Sequence, residues 1–402
     1  MRERDERERE REMRERDERD ERERELRRED GARTGVRALS LLPHPSSTTH
    51  THTRIQLILF GGIPIAYAIV GGESIAKIVD LLAPAAAPVR KAGLSAWIIL
   101  FSGAQLAVVQ IRSFHHMSWV SAAGALASLF YVGVAAINSI VEGTNGTVDR
   151  GAVTYLPQPV PSSWARFSAV ANAVATFAFA WGGHNISNEI QATLPCPPSS
   201  VRPMLRSVHA TFWLALACYG AVSIAGFWAF GSAVAPNILI SMGGGAAPAA
   251  IRAVIAAANA AVVIHVLAGY QVFLFPLIDI LEGAALNRRI LPDAAFRLVT
   301  RTALVAAIAF VACAVPFFSA ILGILGALSI TPTTFMMPCV LWLHLGPGGR
   351  GRGWWRQAGA WRDWTWWAAI VALTLSTSVM VLGTLGAIDQ FVQGVGMYGS
   401  FQ

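Results

Sequence analysis

Residues 177–191 read FAFAWGGHNISNEIQ, and this stretch decides how the whole chain is interpreted. It overlaps an uncharged run, Phe167–Asn188, that has the length of about 20 residues needed to cross a bilayer. The pair Gly182 and Gly183 weakens a helix by about 1 kcal/mol per residue relative to Ala. Non-helical backbone at membrane depth is tolerated only where protein or a cavity satisfies its polar groups. The stretch therefore predicts a membrane helix that is interrupted beside a binding site.

Polar side chains follow the glycine pair and share one face of the predicted helix, whereas Ile186 and Ile190 face away. A broken helix around a substrate or ion site requires this arrangement. Glu189 is the one carboxylate of the stripe, and burial disfavours its charged form, which suits a proton carrier. Two structural alternatives stay open: the glycines could serve close helix packing, and Glu189 could pair with Arg202 or Arg206. The polar residues of the stripe are His184, Asn185, Asn188, Glu189 and Gln191.

The distribution of charge argues against a soluble globular protein. The chain has 402 residues, of which 54% are hydrophobic. Of the first 30 residues, 27 are Arg, Asp or Glu, whereas the other 372 residues include 30 charged ones, about 8%. Soluble domains contain about 25% charged residues. The composition predicts an all-α, multi-pass protein of the lipid bilayer, and no nucleic-acid partner is expected because the acids of the first 30 residues cancel the field of their arginines.

Three regions follow from these patterns. Residues 1–30 form a charged low-complexity head, and residues 31–54, rich in Gly, Ser, Thr, His and Pro, form a linker. The head has neither an apolar stripe nor a continuous apolar run, so a coiled coil or a signal peptide is not expected there. We expect residues 55–402 to form the transmembrane domain.

Uncharged runs of about 20 residues recur after residue 55 and predict nine transmembrane helices. The run Thr302–Leu343 is long enough for two helices, with a break expected at residues 315–319. If Arg54 is cytosolic, twelve basic residues fall on the cytosolic side and six on the other, as the positive-inside rule requires. The N-terminus is then cytosolic, and the glycosylation sequon at Asn145 falls outside. The runs are Ile55–Gly72, Gly93–Ile111, Met117–Val141, Phe167–Asn188, Phe212–Phe230, Ala253–Ile278, Thr302–Leu343 and Trp364–Ile388.

Further polar groups lie within the later runs. His265 stands in one of them and is followed by Tyr270 and Gln271. A lone His in a helix is more often a packing residue than a ligand, and this alternative stays open. In Thr331-Pro332-Thr333-Thr334 the proline removes a backbone hydrogen bond that threonine hydroxyls could partly replace. This predicts a further interruption of a membrane helix.

Motifs of enzymes and of metal sites are missing from the sequence. It contains no His-Glu-x-x-His, no Gly-x-Ser-x-Gly, no nucleotide-binding loop and no Cys/His metal spacing. We therefore expect no catalysis, no metal and no cofactor.

Several motifs follow one another along the chain and together indicate a family resemblance. They are 179–185 (FAWGGHN), 189–195 (EIQATLP), 226–231 (GFWAFG), 237–239 (NIL), 264–266 (IHV), 270–273 (YQVF), 316–318 (PFF) and 331–335 (TPTTF). On these motifs the chain, from about Ile55 to Gln402, resembles the amino acid/auxin permeases, and most closely the plant lysine/histidine-type amino acid transporters.

The resemblance implies an inverted-repeat, broken-helix transporter fold of eleven helices in the plasma membrane. It aligns the first run here, which contains Tyr67, with the family's third helix. The nine predicted helices would then be the third to the eleventh, and we expect the first two to be missing. The activity implied is symport of an amino acid with protons by alternating access, driven by the proton gradient. The alternative is a transport-inactive, transporter-like membrane protein that senses or assembles.

The resemblance also implies roles for individual residues. Glu189 or His184 would carry the proton. The substrate would be bound by Gly182, Gly183, His184, Asn185, Tyr67, His265 and Tyr270.

Overall fold

The structure is a computed structural model of the chain. It describes residues 47–83, 93–110, 117–145, 148, 153–157, 159–160, 162–183, 187–192, 194, 200–243, 247–285, 293–345 and 363–397. The chain divides into two compact units, Met1–Arg54 and Ile55–Gln402. The predicted head and most of the predicted linker lie outside the described residues.

The described residues are almost entirely helical, and no strand occurs in these ranges. Between α6 and α7 the chain makes one 3₁₀ turn, Gly231–Ala233, and a π-helix, Gly326–Met336, joins α10 to α11. The α-helices are α1 (Ser47–Leu82), α2 (Leu94–Val108), α3 (Met117–Thr144), α4 (Ser163–Ala180), α5 (Ser187–Ala192), α6 (Val201–Phe230), α7 (Ile238–Ser241), α8 (Ala249–Ala285), α9 (Asp293–Ala314), α10 (Phe318–Leu325), α11 (Met337–Leu345) and α12 (Trp364–Met397).

Six helical segments among the described residues are long and apolar enough to cross a membrane. They lie in α3, α6, α8, α9, the continuous segment from α10 to α11, and α12. Each run predicted from the sequence overlaps a helix, and the expected break near Pro316 is present between Ala314 and Phe318. A helical, multi-pass architecture is thus confirmed, while the nine crossings and the inverted repeat stay predictions.

Small residues set how closely these helices pack. Helix α3 packs along α8 and α6, whereas α4 packs against α12 and the π-helix. In α1, Gly72 faces α2 so closely that a Cβ atom there would lie 2.9 Å from the backbone nitrogen of Ile98. Close approach of backbones through small residues is the usual way in which membrane helices associate.

Two buried glutamines join α2 to α8. Gln271 Nε2 donates a hydrogen bond to Gln105 Oε1 (2.6 Å), and neither side chain is accessible to solvent. Gln105 Nε2 and Gln271 Oε1 have no further partner among the described residues. The pair therefore satisfies one donor and one acceptor of two amides that would otherwise be costly to bury.

Arg301 ties three helices together at the end of the molecule predicted to be cytosolic. Its Nε donates to Glu282 Oε1 in α8 (3.0 Å), and its NH1 group donates to the carbonyl oxygen of Val109 after α2 (2.9 Å). The guanidinium also lies over the Phe275 ring, 5.7 Å from the ring centre. A cation, a carboxylate, a carbonyl and an aromatic ring thus share one buried contact.

Candidate functional site

The helix around the glycine pair is interrupted as its sequence predicts. Helix α4 starts where Ser162 Oγ accepts from the backbone N–H of Ala165 (3.1 Å), and it ends at Ala180. Gly182 N–H then donates to the Phe179 carbonyl (3.0 Å), which is the tighter pattern of a 3₁₀ turn. Helix α5 begins at Ser187, and residues 184–186 lie outside the described residues.

Gly182 sits where the end of α4 meets the π-helix. A Cβ atom at this position would lie 2.3 Å from the Ile330 side chain, so the close approach requires glycine. The Gly182 carbonyl accepts a hydrogen bond from Thr334 Oγ1 (3.3 Å). The π-helix thereby supplies a donor to backbone that has left helical geometry, as a bilayer-embedded break requires.

The π-helix is the second interruption, at the place where Pro332 predicts one. Thr331 Oγ1 donates to the Gly326 carbonyl (2.7 Å), and Thr333 Oγ1 donates to the Ser329 carbonyl (2.6 Å). Threonine hydroxyls on both sides of the proline thus donate to carbonyls of the preceding turn, although not to those of Ala327 or Leu328, which lose a donor at Pro332. Single π-helical segments within α-helices occur frequently at functional sites.

A cavity of about 300 Å³, here named the central cavity, lies among the helices next to these interruptions. Its walls come from α1, α3, α4, α6, α8, α10 and the segment that leads into α7. The lining is mostly apolar, which is typical of pockets for small molecules. The aromatic and polar residues that line it are Tyr67, Tyr131, Phe179, Asn237, His265 and Phe318.

His265 is held in place by α3. Its Nδ1 lies 3.0 Å from the Gly124 carbonyl oxygen, and a carbonyl can only accept, so Nδ1 carries the hydrogen of this bond. In the neutral ring Nε2 is then an acceptor. Tyr131 packs edge-on against the imidazole, with 5.7 Å between ring centres. The arrangement fixes one tautomer on the wall of an apolar cavity.

Tyr67 enters the central cavity from α1. Its ring lies against Gly269 of α8, where a Cβ atom would come within 2.8 Å of Tyr67 Cε2. It also packs edge-on against Phe273, at 6.2 Å between ring centres. The glycine thus makes room for the tyrosine, and α1 and α8 present Tyr67 and His265 to one space.

Three further residues that the sequence singled out do not line the central cavity. Tyr270 is 1% exposed, does not line any of the three cavities described here, and its hydroxyl has no partner among the described residues. Gly183 lines a separate cavity of about 400 Å³ beside α6, where Trp181 stacks on Phe212 at 5.7 Å. Asn145 is exposed at the end of α3.

Three predicted residues cannot be placed against the cavities. His184 and Asn185 lie outside the described residues, and the side chain of Glu189, on α5, does as well. The predicted roles of all the site residues stay predictions.

A third cavity, here named the helix-end cavity, has a volume of about 650 Å³. It lies between the last turns of α1 and α12 and the first turns of α2 and α10. Pro236, Asn237 and Phe318 line both this cavity and the central cavity. Its polar lining residues are Glu73, Asn237, Ser319, Gln390 and Gln393.

Sequence reasoning missed several residues of these cavities. Tyr131 is the only tyrosine of the run Met117–Val141, and an ionisable group in an apolar span is a usable signal. Asn237 belongs to a motif of the family resemblance but has no role assigned from sequence. Its position on both cavities depends on packing between distant segments, which no local pattern encodes.

The fold and the site together define a class of protein. Apolar helices of membrane length and two helix interruptions beside a cavity lined by aromatic and imidazole groups are typical of multi-pass membrane transporters. Residues 52–388 match the family described as "transmembrane amino acid transporter protein". The chain belongs to this family, and the resemblance drawn from its motifs is confirmed.

Individual relatives agree with this assignment. Lysine histidine transporter-like 1 of Arabidopsis thaliana is 31% identical over 340 residues, which cover 84% of this chain and 69% of the relative. Lysine histidine transporter-like 3 of the same plant is 30% identical over 344 residues, 85% of this chain and 71% of the relative. Amino acid permease 4 of Arabidopsis thaliana is 28% identical over 277 residues, which cover 62% of this chain and 56% of the relative. The family and these relatives are transporters and not enzymes, and no solved structure matches the chain.

Proposed function

We propose that this protein carries amino acids across a membrane as a proton-coupled secondary transporter. The observation that supports it most is the central cavity, which has the size and the mixed lining of a small-molecule site. It stands beside two interrupted helices, in a chain of the transmembrane amino acid transporter family. The relatives named above bear the names of lysine histidine transporters and amino acid permeases.

The chemistry of the lining fits a zwitterion with a side chain. The rings of Tyr67, Tyr131 and Phe179 offer apolar area for the side chain. His265 Nε2, as an acceptor, suits the α-ammonium group. In this proposal the carboxylate would bind near the glycine break, as anionic groups do at other broken helices.

Transport itself would follow from alternating access. In this proposal the two interrupted helices move against the rest of an inverted-repeat fold and expose the central cavity to one side at a time. The protein would act in the plasma membrane with a cytosolic N-terminus, and the proton gradient would supply the driving force. Glu189 or His184 would carry the proton, since both stand beside the break.

Uptake into proteoliposomes tests the function. We expect purified protein to accumulate a radiolabelled amino acid when an inward pH gradient is imposed, and to lose accumulation when a protonophore collapses the gradient. An absence of both accumulation and exchange by correctly folded protein would contradict transport and would favour the sensing alternative.

The same assay assigns the proton carrier. Glu189→Gln keeps size and hydrogen bonding but removes titration, so exchange of amino acid should survive while gradient-driven accumulation is lost. If accumulation persists in Glu189→Gln and disappears in His184→Gln, the histidine carries the proton. If both variants accumulate normally, neither residue is the carrier.

A further inference from the structure

The helix-end cavity carries a negative charge to which no role has been given above. Glu73 of α1 is the one charged side chain among its described lining residues. Lys77, one turn later in α1, donates its Nζ to the Ile240 carbonyl (3.0 Å) and forms no ion pair with Glu73. Across the part of the chain that the structure describes, no other residue pairs with this carboxylate. A carboxylate in a largely apolar wall is costly without a counter-charge, so the cavity favours a ligand that is a cation.

Two glutamines of α12 add neutral acceptor atoms to the same wall. Gln390 Nε2 donates to Ser168 Oγ of α4 (3.3 Å), and Gln393 Nε2 donates to Asp389 Oδ2 (2.6 Å). Both amide nitrogens are thus engaged outside the cavity lining, whereas neither Oε1 accepts a hydrogen bond from a described residue. Amide oxygens accept readily from the N–H groups of a cation.

Aromatic rings complete this lining. Phe317 and Phe318 stand where α10 begins, and both line the helix-end cavity. Phe317 packs at a right angle to Phe391 of α12, with 5.9 Å between ring centres. Gly394 permits this approach, because a Cβ atom there would lie 3.0 Å from Phe317 Cγ. The face of an aromatic ring attracts an organic cation that lies within about 6 Å of its centre.

The size and the donor set of the cavity favour an organic cation over a metal ion. Its volume of about 650 Å³ falls in the range of about 300–1,000 Å³ that is usual for pockets of small organic molecules. A protein site for Ca²⁺ gathers about six to eight oxygen ligands around one small ion. Within the described ranges, no group of three His, Cys, Asp or Glu side chains could hold a metal ion.

We propose that the helix-end cavity binds small organic ammonium ions, with Glu73 as their counter-ion. The glutamine oxygens accept from the ammonium group, and the phenylalanine rings contact the carbon skeleton. This is a second site next to the central cavity, with which it shares Pro236, Asn237 and Phe318. A simple amine and the amino group of an amino acid offer the same chemistry, and the site does not require the protein to transport.

Equilibrium binding of radiolabelled phenethylamine to purified protein in detergent tests the charge. Glu73→Gln keeps the size of the side chain but removes its charge, so the dissociation constant should rise at least tenfold. The control Asp80→Asn, at an exposed position of the same helix, should bind like the parent. Competition by 2-phenylethanol, which replaces the ammonium group by a hydroxyl, should be at least tenfold weaker than competition by unlabelled amine. Equal affinity of the amine for Glu73→Gln and the parent would overturn the proposal.

Protection of a thiol locates the bound amine and keeps Glu73 in place, so it also covers the case in which Glu73→Gln fails to fold. The four native cysteines are replaced by alanine, and Leu94→Cys introduces one thiol into the helix-end cavity. Leu156→Cys, at a position that is 74% exposed, is the matched control. Saturating phenethylamine should slow labelling of the Leu94→Cys thiol by N-ethylmaleimide at least fivefold and leave the control unchanged. No protection, or equal protection by 2-phenylethanol, would overturn the proposal.

The same protection assay identifies the source of the ammonium group. Protection by both L-phenylalanine and phenethylamine would support the proposal and make the cavity an outer site for amino acids. Protection by the amine alone would also support it and would make simple amines the ligands. Protection by 3-phenylpropionate, which has no ammonium group, would contradict it. A lack of amino acid uptake would leave all these measurements unaffected, and a lack of protection would leave the proposed transport untouched.

Discussion

The imidazole of His265 shows how a residue proposed to bind substrate can be oriented by the backbone of a neighbouring helix. Gly124 has no side chain, and this lets α3 approach α8 closely, since a Cβ atom there would lie 2.9 Å from Ala268 Cβ. The Gly124 carbonyl can then accept from Nδ1. The proposed acceptor, Nε2, is thus defined by a backbone group on another helix.

Replacing this ring tests its role. We expect His265→Ala to weaken amino acid binding about tenfold, because one hydrogen bond to a charged group contributes about 1.5 kcal/mol. The dissociation constant of a radiolabelled amino acid, measured on purified protein, checks this. Phe310→Ala, at an exposed position on α9, serves as the matched control and should bind normally. Equal affinity in His265→Ala would make the histidine a packing residue.

At the scale of elements, helix spacing depends on a few glycines. Gly326, the first residue of the π-helix, lies so close to α4 that a Cβ atom would be 2.0 Å from the Ala175 carbonyl oxygen. The backbone of α4 cannot move aside as the end of a flexible side chain can. At Gly133 in α3, in contrast, no atom of another described segment lies within 4 Å of the position of a Cβ atom.

These two glycines should therefore respond in opposite ways to the same change. Gly326→Ala is expected to destabilise the fold by about 1–3 kcal/mol through overpacking. Gly133→Ala should stabilise it by about 0.5–1 kcal/mol, because alanine favours a helix interior. Thermal unfolding in detergent measures the change in stability of each variant. A Gly326→Ala variant as stable as the parent would contradict the close packing of α4 on the π-helix.

The glutamine pair between α2 and α8 allows a double-mutant cycle. Gln271→Leu leaves Gln105 buried and unpaired, and should cost about 1–3 kcal/mol. The double variant Gln105→Leu/Gln271→Leu should recover most of this loss, because no amide then stays without a partner. Additive losses in the cycle would show that the two amides do not interact.

Residue types alone predicted both helix interruptions, because Gly182-Gly183 and Pro332 act on the backbone of their own helix. They did not predict that the second interruption is a π-helix, whose first residue, Gly326, packs closely on the distant helix α4. The cavities were even harder to predict from the sequence. Lys77 meets Ile240 across 163 residues of sequence, and no local pattern states which distant segments will meet.

At the scale of the whole molecule, charge bias predicts the orientation. Nine crossings and a cytosolic N-terminus require residues near Gln402 to lie outside. A reporter that is active only in the cytosol, fused after Gln402, should therefore stay inactive, while the same reporter fused after residue 348, between α11 and α12, should be active. Activity at Gln402 would mean an even number of crossings or an inverted orientation.

The contact that Arg301 makes with α2 and α8 has a consequence for the making of the protein. A buried charge that is left without its partner costs about 3–5 kcal/mol. Val109 precedes Arg301 by 192 residues, and Glu282 precedes it by 19. At about 5–20 residues per second, the ribosome completes α2 about 10 to 40 s before it adds Arg301. Arg301 thus leaves the ribosome after both of its partners, so they are already present when its guanidinium becomes buried.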